Sequence, residues 1–132
     1  MLKSKTETAR SGSTSETHEP IALEWRPVLS AIVKALADED YGLGREIHAV
    51  APVSARTEDQ LRRVVHDYGE TLIELPDETW LTSTAHLTGP HWNCSVDLFT
   101  AEAGRSDMVL SVRVFAIESN GYRFDVDSID TR

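Results

Sequence analysis

Cysteine and long apolar runs are scarce in this sequence, and each shortage excludes a class of protein. The 132 residues contain one cysteine, Cys94, so no disulfide can form within the chain, which fits a reducing cytoplasm. No apolar run approaches the roughly 20 residues that a membrane-spanning helix needs. The N-terminus is basic but lacks the apolar segment of a secretory signal. We therefore expect a cytoplasmic protein that does not enter a membrane.

Motifs of catalysis and cofactor binding are missing as well. The sequence has no glycine-rich phosphate loop and no G-x-S-x-G nucleophile motif, and its only adjacent basic pair is Arg62-Arg63. We therefore expect no cofactor, no bound metal and no nucleic-acid partner. The absence of motifs favours a protein that is not an enzyme.

The charge that is present is unevenly distributed. The net charge is −9, and residues 70–132 hold 11 carboxylates but only 4 arginines and no lysine. An acidic field repels nucleic acid and anionic membranes, and it accelerates the encounter with basic partners. The alternative is that the acidity only keeps the protein in solution.

Residues 1–20 form a polar leader that is rich in Ser, Thr and Glu. Such a segment cannot offset its ordering entropy by burial, so we expect it to be disordered. The remaining residues, 21–132, have the length of one domain with one core.

Two helices are indicated in the first half of this domain. Pro27 suits the first turn of a helix, and apolar residues follow it at helical spacing. Thr57 and Gln60 match a capping box at the start of a second helix, and Gly69 suits its C-terminal end. Residues 45–53 between the helices are compatible with either a short strand or a connector.

After the second helix the apolar residues recur with a period of two, which is typical of strands. We predict an α+β fold with two N-terminal amphipathic helices packed on one face of an antiparallel sheet of about four strands. The sheet ends in a C-terminal β-meander.

The last hairpin turns near Asn120-Gly121, and two registers compete there. A two-residue turn would pair Phe124 with Ile117. A three-residue loop with Gly121 in a left-handed bulge would pair Phe124 with Ala116, and Asp127 with Arg113. We prefer the second register because its cross-strand pairs are better matched.

Three stretches of the sequence resemble a family of small bacterial α+β domains. They are LPDETW (Leu75–Trp80), HWNCSVDLFTAEAGRSDMVLSVRVF (His91–Phe115) and GYRFDVDSI (Gly121–Ile129). The resemblance extends over most of residues 27–130. No activity or site is known for that family, so the resemblance implies kinship and assigns no role to any residue.

One set of residues offers ligand types that zinc accepts. His86, His91 and Cys94 have the spacing H-x4-H-x2-C, but no fourth ligand lies near them in the sequence. Cys94 also falls on the side of its strand that we expect to be buried. A small apolar role for this thiol is therefore the better interpretation.

Asp125 and Asp127 lie two residues apart on one strand, so they project from the same face. Paired carboxylates can serve acid–base hydrolysis, but one of them must then hold a proton. Arg113 and Arg123 nearby would keep both ionised. A solvated ladder of salt bridges is therefore the better interpretation.

Tryptophans beside charged residues are the best candidates for partner binding, because Trp is enriched at the energetic centres of interfaces. The alternative is that Trp80 and Trp92 close the end of the sheet, and that a helix or a second copy covers Phe115. The candidate partner-binding residues are Asp77, Glu78, Trp80, His91, Phe115, Asp125 and Asp127.

These observations predict a non-enzymatic, acidic protein-binding module. Its specific form would be an immunity-like or antitoxin-like inhibitor of a basic toxin or nuclease. A small-ligand-binding or regulatory domain is the alternative. An enzyme without a recognisable motif and a mimic of nucleic acid are further alternatives.

Overall fold

Two helices precede an antiparallel meander, as the change of apolar period predicts. The computed structural model describes residues 18–43, 47–118 and 121–132. Its elements are β1 (His18–Pro20), a first 3₁₀ turn (Leu23–Trp25), α1 (Arg26–Ala37), α2 (Ala55–Tyr68), a second 3₁₀ turn (Asp77–Leu81), β2 (Thr84–Thr88), β3 (His91–Thr100), β4 (Gly104–Ile117) and β5 (Gly121–Thr131).

Five strands of the described residues form one sheet in the order β1-β2-β3-β4-β5, and each is antiparallel to its neighbours. The α+β class and the meander are confirmed, whereas the count of about four strands is corrected to five. The additional strand is β1, in which His18 pairs with His86 and Pro20 with Thr84. Proline is tolerated there because β1 is an edge strand.

Strand β1 lies in the leader that we expected to be disordered, so that expectation is wrong for residues 18–20. Residues 1–17 of the leader lie outside the described part of the chain. Ile21 explains why the order begins early: its side chain is buried in the core directly after β1. Burying such a side chain contributes roughly 1.5–3 kcal/mol, which offsets part of the entropy cost of ordering a short strand.

Helix α1 provides the centre of the core. Pro27 lies in its first turn, as predicted, where the missing N–H removes no helical hydrogen bond. The buried face of the helix consists of Leu29, Ile32, Val33 and Leu36, and none of these side chains is more than 1% exposed. The predicted helical spacing of these residues is therefore confirmed.

Helix α2 begins earlier than the capping box predicts. Its N-cap is Ser54, whose Oγ accepts a hydrogen bond from the Thr57 amide at 3.1 Å. Gln60 does not cap the helix: its Nε2 donates to the Ile129 carbonyl at 2.7 Å, and its Oε1 accepts from the Ile129 amide at 3.2 Å. Gly69 ends the helix as predicted, with a φ of 82°.

The β4–β5 hairpin has neither of the two registers considered above. Ile117 pairs with Gly121, and Phe124 pairs with Val114, so the connection consists of residues 118–120. The preferred register was therefore wrong by two residues. Because side chains alternate with a period of two, this shift keeps Phe124 and Val126 on their predicted face. Beyond Val126 a register shift between Ser111 and Val112 pairs Leu110 with Ile129, which is buried in the core.

One face of the sheet carries the core, in which apolar residues of both helices join alternate residues of β3, β4 and β5. Neither helix in the described part of the chain has the length and apolar content needed to cross a bilayer. The opposite face, called the outer face, is largely polar. It includes His91, Asn93, Ser95, Ser111, Arg113, Phe115, Arg123 and Asp125.

Candidate functional site

The acidic residues expected next to Trp80 lie in the second 3₁₀ turn. Asp77 and Glu78 are exposed there, and Trp80 is partly buried. The guanidinium of Arg26 lies over the Trp80 ring, 5.3 Å from its centroid. The cluster is therefore formed, but its tryptophan already contacts a cation of the same chain.

Two other candidates, His91 and Phe115, are neighbours on the outer face. Their ring centroids are 4.8 Å apart, and the Arg123 guanidinium lies 4.6 Å from the Phe115 centroid. The three side chains form a row across β3, β4 and β5. Phe115 is therefore covered in part by its own neighbours on the sheet.

Both candidate carboxylates of β5 are paired with arginines of the same sheet. Arg123 Nε donates to Asp125 Oδ1 at 3.1 Å, and Arg113 Nη2 lies 3.4 Å from Asp127 Oδ1. The predicted ladder of salt bridges is confirmed, and such exposed pairs contribute little to stability. We had expected these carboxylates to attract a basic partner. Because arginines of the same sheet pair with them, they are not free to do so.

The predicted candidates fall into two groups at opposite ends of β3. The Thr79 hydroxyl donates to the Asp97 carbonyl at 2.7 Å, which fixes the second 3₁₀ turn near one end. His91 begins the strand, six residues before Asp97, a distance of about 20 Å at strand rise. The structure does not bring Trp80 and His91 into one site.

The three candidate zinc ligands, His86, His91 and Cys94, do not point toward one another either. His86 and His91 belong to the outer face, whereas the Cys94 thiol is fully buried in the core. Burial raises the pKa of the Cys94 thiol to about 12, which keeps it protonated and unreactive at neutral pH. Within residues 18–43, 47–118 and 121–132, no group of three His, Cys, Asp or Glu side chains is arranged to hold a metal.

One buried carboxylate, Asp97, was not apparent from the sequence. Asp97 is fully buried, and its Oδ1 accepts a hydrogen bond from Arg132 Nη2 at 2.5 Å. Its Oδ2 accepts from the Thr82 hydroxyl, also at 2.5 Å, and its amide donates to Ser83 Oγ at 3.0 Å. Because these groups are mutually satisfied, we assign Asp97 a structural role. The alternating pattern of β3 does not distinguish it from an exposed polar residue.

A large apolar cavity opens beside the β4–β5 hairpin, and we call it the cleft. Its volume is about 680 Å³, which lies within the range of small-molecule pockets. Its walls are formed by Glu24, Val28, residues 48–52, Ile117 and residues 121–124. The cleft therefore combines the start of α1, an interhelix segment and the tip of the sheet.

One wall of the cleft is the edge of β5, and residues 49–51 cover part of it. The Phe124 amide donates to the Ala49 carbonyl at 2.8 Å, and the Ala51 amide donates to the Phe124 carbonyl at 2.9 Å. Alternate residues of a strand direct their main-chain groups to the same edge, so those of Tyr122 face this edge too. No described residue pairs with them there. The cleft thus contains a short stretch of sheet edge that no described residue covers.

Ala49 in the cleft wall has a φ of 72°, in the left-handed region that favours glycine. This conformation costs an alanine roughly 1–2 kcal/mol. The hydrogen bond from Phe124 holds it in place. Strain of this kind occurs often at binding and active sites, which makes the cleft the strongest candidate site.

The cleft could not be identified from the sequence. Its walls come from three segments that are far apart in the chain, and no motif links them. Residues 45–53 were ambiguous between a strand and a connector, and the described part of this segment is a connector with one bridge, between Val50 and Phe124. That ambiguity was the single local sign of an unusual segment.

Comparison with known families matches residues 33–131 to a domain of unknown function (DUF7668). The match covers 99 of the 132 residues and includes all three stretches described above. No curated protein and no solved structure matches the chain. The matched region contains residues 48–52 and the β4–β5 hairpin, which form most of the cleft, but not Glu24 and Val28.

Proposed function

This chain belongs to the family described as a domain of unknown function (DUF7668), and we propose that it is a non-enzymatic binding module whose cleft holds an extended segment of a basic protein. The observation that carries this proposal is the edge of β5 at Tyr122, which lies within an apolar cleft and pairs with no other described residue. An extended peptide placed there would continue the sheet through main-chain hydrogen bonds. The apolar walls would accept alternate side chains of that peptide.

The charge of the chain supports a basic partner. The net charge is −9, and Glu24 is exposed at the cleft. Arg123 also lines the cleft, but its charge is offset by Asp125 and its guanidinium lies over Phe115. A field of this sign accelerates the encounter with a cationic segment. An immunity-like or antitoxin-like role against a basic toxin is one form of this proposal.

The basic partner is therefore expected to bind at the cleft and not at the outer face of the sheet. Asp125 and Asp127 have arginine partners within the sheet, and Trp80 lies under Arg26. The open main-chain groups of Tyr122 offer directed hydrogen bonds that those paired side chains do not. We therefore assign short-range affinity to the cleft and long-range attraction to the net negative charge of the chain as a whole.

The test is a selection of random twelve-residue peptides displayed on phage, with the full chain as bait at 50 and 500 mM NaCl. We expect the selected peptides to alternate apolar residues with Lys or Arg, and to bind more weakly at high salt. Val28→Trp fills the cleft and should weaken their binding at least tenfold. Leu81→Trp is the matched control, because Leu81 is 86% exposed and lies outside the cleft. Equal binding to both variants would contradict the proposal.

Amide hydrogen exchange tests the sheet edge directly. The Phe124 amide already donates to Ala49, so we expect it to exchange slowly with or without a selected peptide. The Tyr122 amide has no acceptor among the described residues, so it should exchange quickly in the free protein and at least tenfold more slowly in the complex. Unchanged exchange at Tyr122 would show that the peptide does not extend the sheet.

A small apolar ligand is the second candidate for the cleft, because the volume and the apolar walls suit one. Thermal-shift screening of small apolar molecules separates the two candidates. A small ligand should raise the melting temperature and leave the Tyr122 amide in fast exchange. A peptide should raise the melting temperature and slow that exchange.

A further inference from the structure

Two exposed leucines line a second cavity, outside the cleft, which we call the leucine groove. Leu23 of the first 3₁₀ turn is 74% exposed and Leu81 of the second is 86% exposed, more than any other large apolar side chain of the described residues. The groove has a volume of about 620 Å³, and both turns and the start of α1 form its walls. Single exposed leucines are common on protein surfaces, but two of them in one concave site indicate an interaction surface.

Buried neighbours in the same turns keep these leucines exposed. In the first turn Trp25 is 5% exposed, and its amide donates to the Ala22 carbonyl at 3.0 Å. In the second turn Thr79 is fully buried, and its carbonyl accepts from the Ser83 amide at 2.9 Å. A turn that is anchored by its buried residue cannot rotate to bury its leucine. The cost of exposing the groove to water is therefore removed only when another surface covers it.

The leucine groove carries one charge of each sign. Arg26 and Asp77 line it, and neither forms an ion pair with a described residue. Arg26 Nε donates to the Ile21 carbonyl at 3.0 Å, and its guanidinium lies 5.3 Å from the centroid of the Trp80 ring. These contacts hold the guanidinium in place, and its Nη atoms have no acceptor among the described residues. The groove thus differs from the chain as a whole, whose net charge is −9.

A second copy of this chain fits this combination of charges. In a dimer with twofold symmetry each contact occurs twice, so Arg26 of either copy meets Asp77 of the other. Leu81 of each copy enters the groove of the other beside Leu23, and the volume of the groove is ample for a leucine side chain. A basic partner would meet the like charge of Arg26, and an acidic partner that of Asp77. Self-association pairs both charges.

We propose that the leucine groove is the interface of a twofold-symmetric homodimer, held by contacts of Leu23 with Leu81 and by two ion pairs of Arg26 with Asp77. The interface is small, so the dimer is weak and reversible, as transient interfaces are. The groove shares no residue with the cleft, so this inference goes beyond the proposed function and does not rest on it.

Sedimentation equilibrium of the full chain at concentrations up to about 1 mM tests for the dimer. The buffer contains 0.15 M NaCl, in which the Debye length is about 8 Å and repulsion between two acidic chains is largely screened. We expect a monomer–dimer equilibrium. Leu81→Ser should raise its dissociation constant at least tenfold, whereas Leu87→Ser should change it less than twofold, because Leu87 is 52% exposed but lies outside the groove. A chain that stays monomeric, or equal effects of the two variants, would overturn the inference.

Reversing one charge at a time tests the twofold pairing itself. Arg26→Glu and Asp77→Arg each place like charges at both ion pairs of a homodimer, so each should raise the dissociation constant at least tenfold. An equimolar mixture of the two variants should form heterodimers within threefold of the wild-type affinity, because both pairs then join opposite charges. Arg56→Glu and Glu118→Arg make the same changes of net charge at exposed positions outside the groove, and each should stay within twofold of the wild type. Failure of the mixture to associate would refute the twofold interface.

A measurement on the unaltered chain locates the interface without any variant. The methyl resonances of Leu23 and Leu81 should shift as the protein concentration rises through the dissociation constant, because the second copy changes their surroundings. The methyl resonances of Leu87, which lies outside the groove, should not shift. A dimer that leaves the resonances of Leu23 and Leu81 stationary would form through another surface and would overturn the inference.

Variants of the two surfaces separate the failure of this inference from the failure of the proposed function. Val28 lines the cleft but not the leucine groove, so Val28→Trp should leave the dissociation constant of the dimer within twofold. Leu81 lines the groove but not the cleft, so its variants should leave the binding of selected peptides within twofold. If the dimer forms while no peptide is selected, the proposed function fails and the inference stands. If peptides bind a chain that stays monomeric, only the inference fails.

Discussion

Replacing Asp97 and Arg132 by alanine, singly and together, should show that burial decides the strength of an ion pair in this fold. The Asp97 side chain is 1% exposed and that of Arg132 is 51% exposed, with Nη2 and Oδ1 2.5 Å apart. A hydrogen bond to a charged group contributes about 1.5–3 kcal/mol when it is shielded from water. We expect a coupling free energy in that range, measured as the difference between the double variant and the sum of the single variants.

Asp59 and Arg63 on α2 provide the matched control. Their nitrogen and oxygen atoms are 2.6 Å apart, almost the same distance, but the side chains are 60% and 61% exposed. Solvent screens such a pair, so its double-variant cycle should give a coupling close to zero. Urea unfolding followed by tryptophan fluorescence provides the free energies for all six variants and the wild type.

The cycle removes the cost of the cavity that each alanine leaves, because that cost cancels when the two sites are independent. Repeating it in 1 M NaCl sharpens the comparison, since salt screens exposed charges far more than buried ones. The reasoning would be refuted by equal couplings for the two pairs, or by an Asp97–Arg132 coupling that disappears in salt.

Three further predictions follow from local features. Burial raises the pKa of Cys94 from 9.0 to about 12, so the folded state holds its proton where the unfolded state loses it. Stability should therefore fall as pH rises above 9, and fall less steeply in Cys94→Ala, as urea midpoints at pH 8 and 10.5 will show. Ser54→Ala removes the N-cap of α2 and should cost about 1 kcal/mol, whereas Thr57→Ala should cost less than half as much in the same unfolding assay. Gly69→Ala should cost about 1–2 kcal/mol through its φ of 82° alone, because a Cβ there meets no atom within 4 Å; an unchanged midpoint would contradict this.

The helices and the faces of the strands were predictable because their signals are local. Leu29 and Ile32 of α1 are buried as their spacing requires, and Cys94 points into the core as the alternation in β3 requires. The hairpin register was not predictable in the same way. A shift by two residues keeps Phe124 inside and Arg123 outside, so the apolar pattern cannot distinguish these registers.

The functional surfaces were less predictable because they depend on contacts between distant segments. Gln60 matches a capping box in the sequence, yet its side-chain amide forms hydrogen bonds with the main chain of Ile129. Gln60 reaches Ile129 only because α2 packs against β5, which the local sequence does not show. Strand β1 has a polar composition typical of disorder, and it is ordered through its ladder with β2. The cleft, whose walls come from three distant segments, does not follow from any one of them alone.

Charge placement explains why composition indicated a class of partner but not a site. Three arginines of the acidic half, Arg113, Arg123 and Arg132, pair with its carboxylates, so the composition overstates the number of carboxylates free to bind a partner. The remaining net charge attracts a basic partner from a distance but holds it in no particular place. The main-chain groups of Tyr122 can form hydrogen bonds with a partner only after the partner has reached the cleft. Salt should therefore act mainly on the association rate of a selected peptide, and Val28→Trp mainly on its dissociation rate, as stopped-flow kinetics can resolve. If salt changed only the dissociation rate, the attraction would be a contact at the site, and a carboxylate inside the cleft would have to supply it.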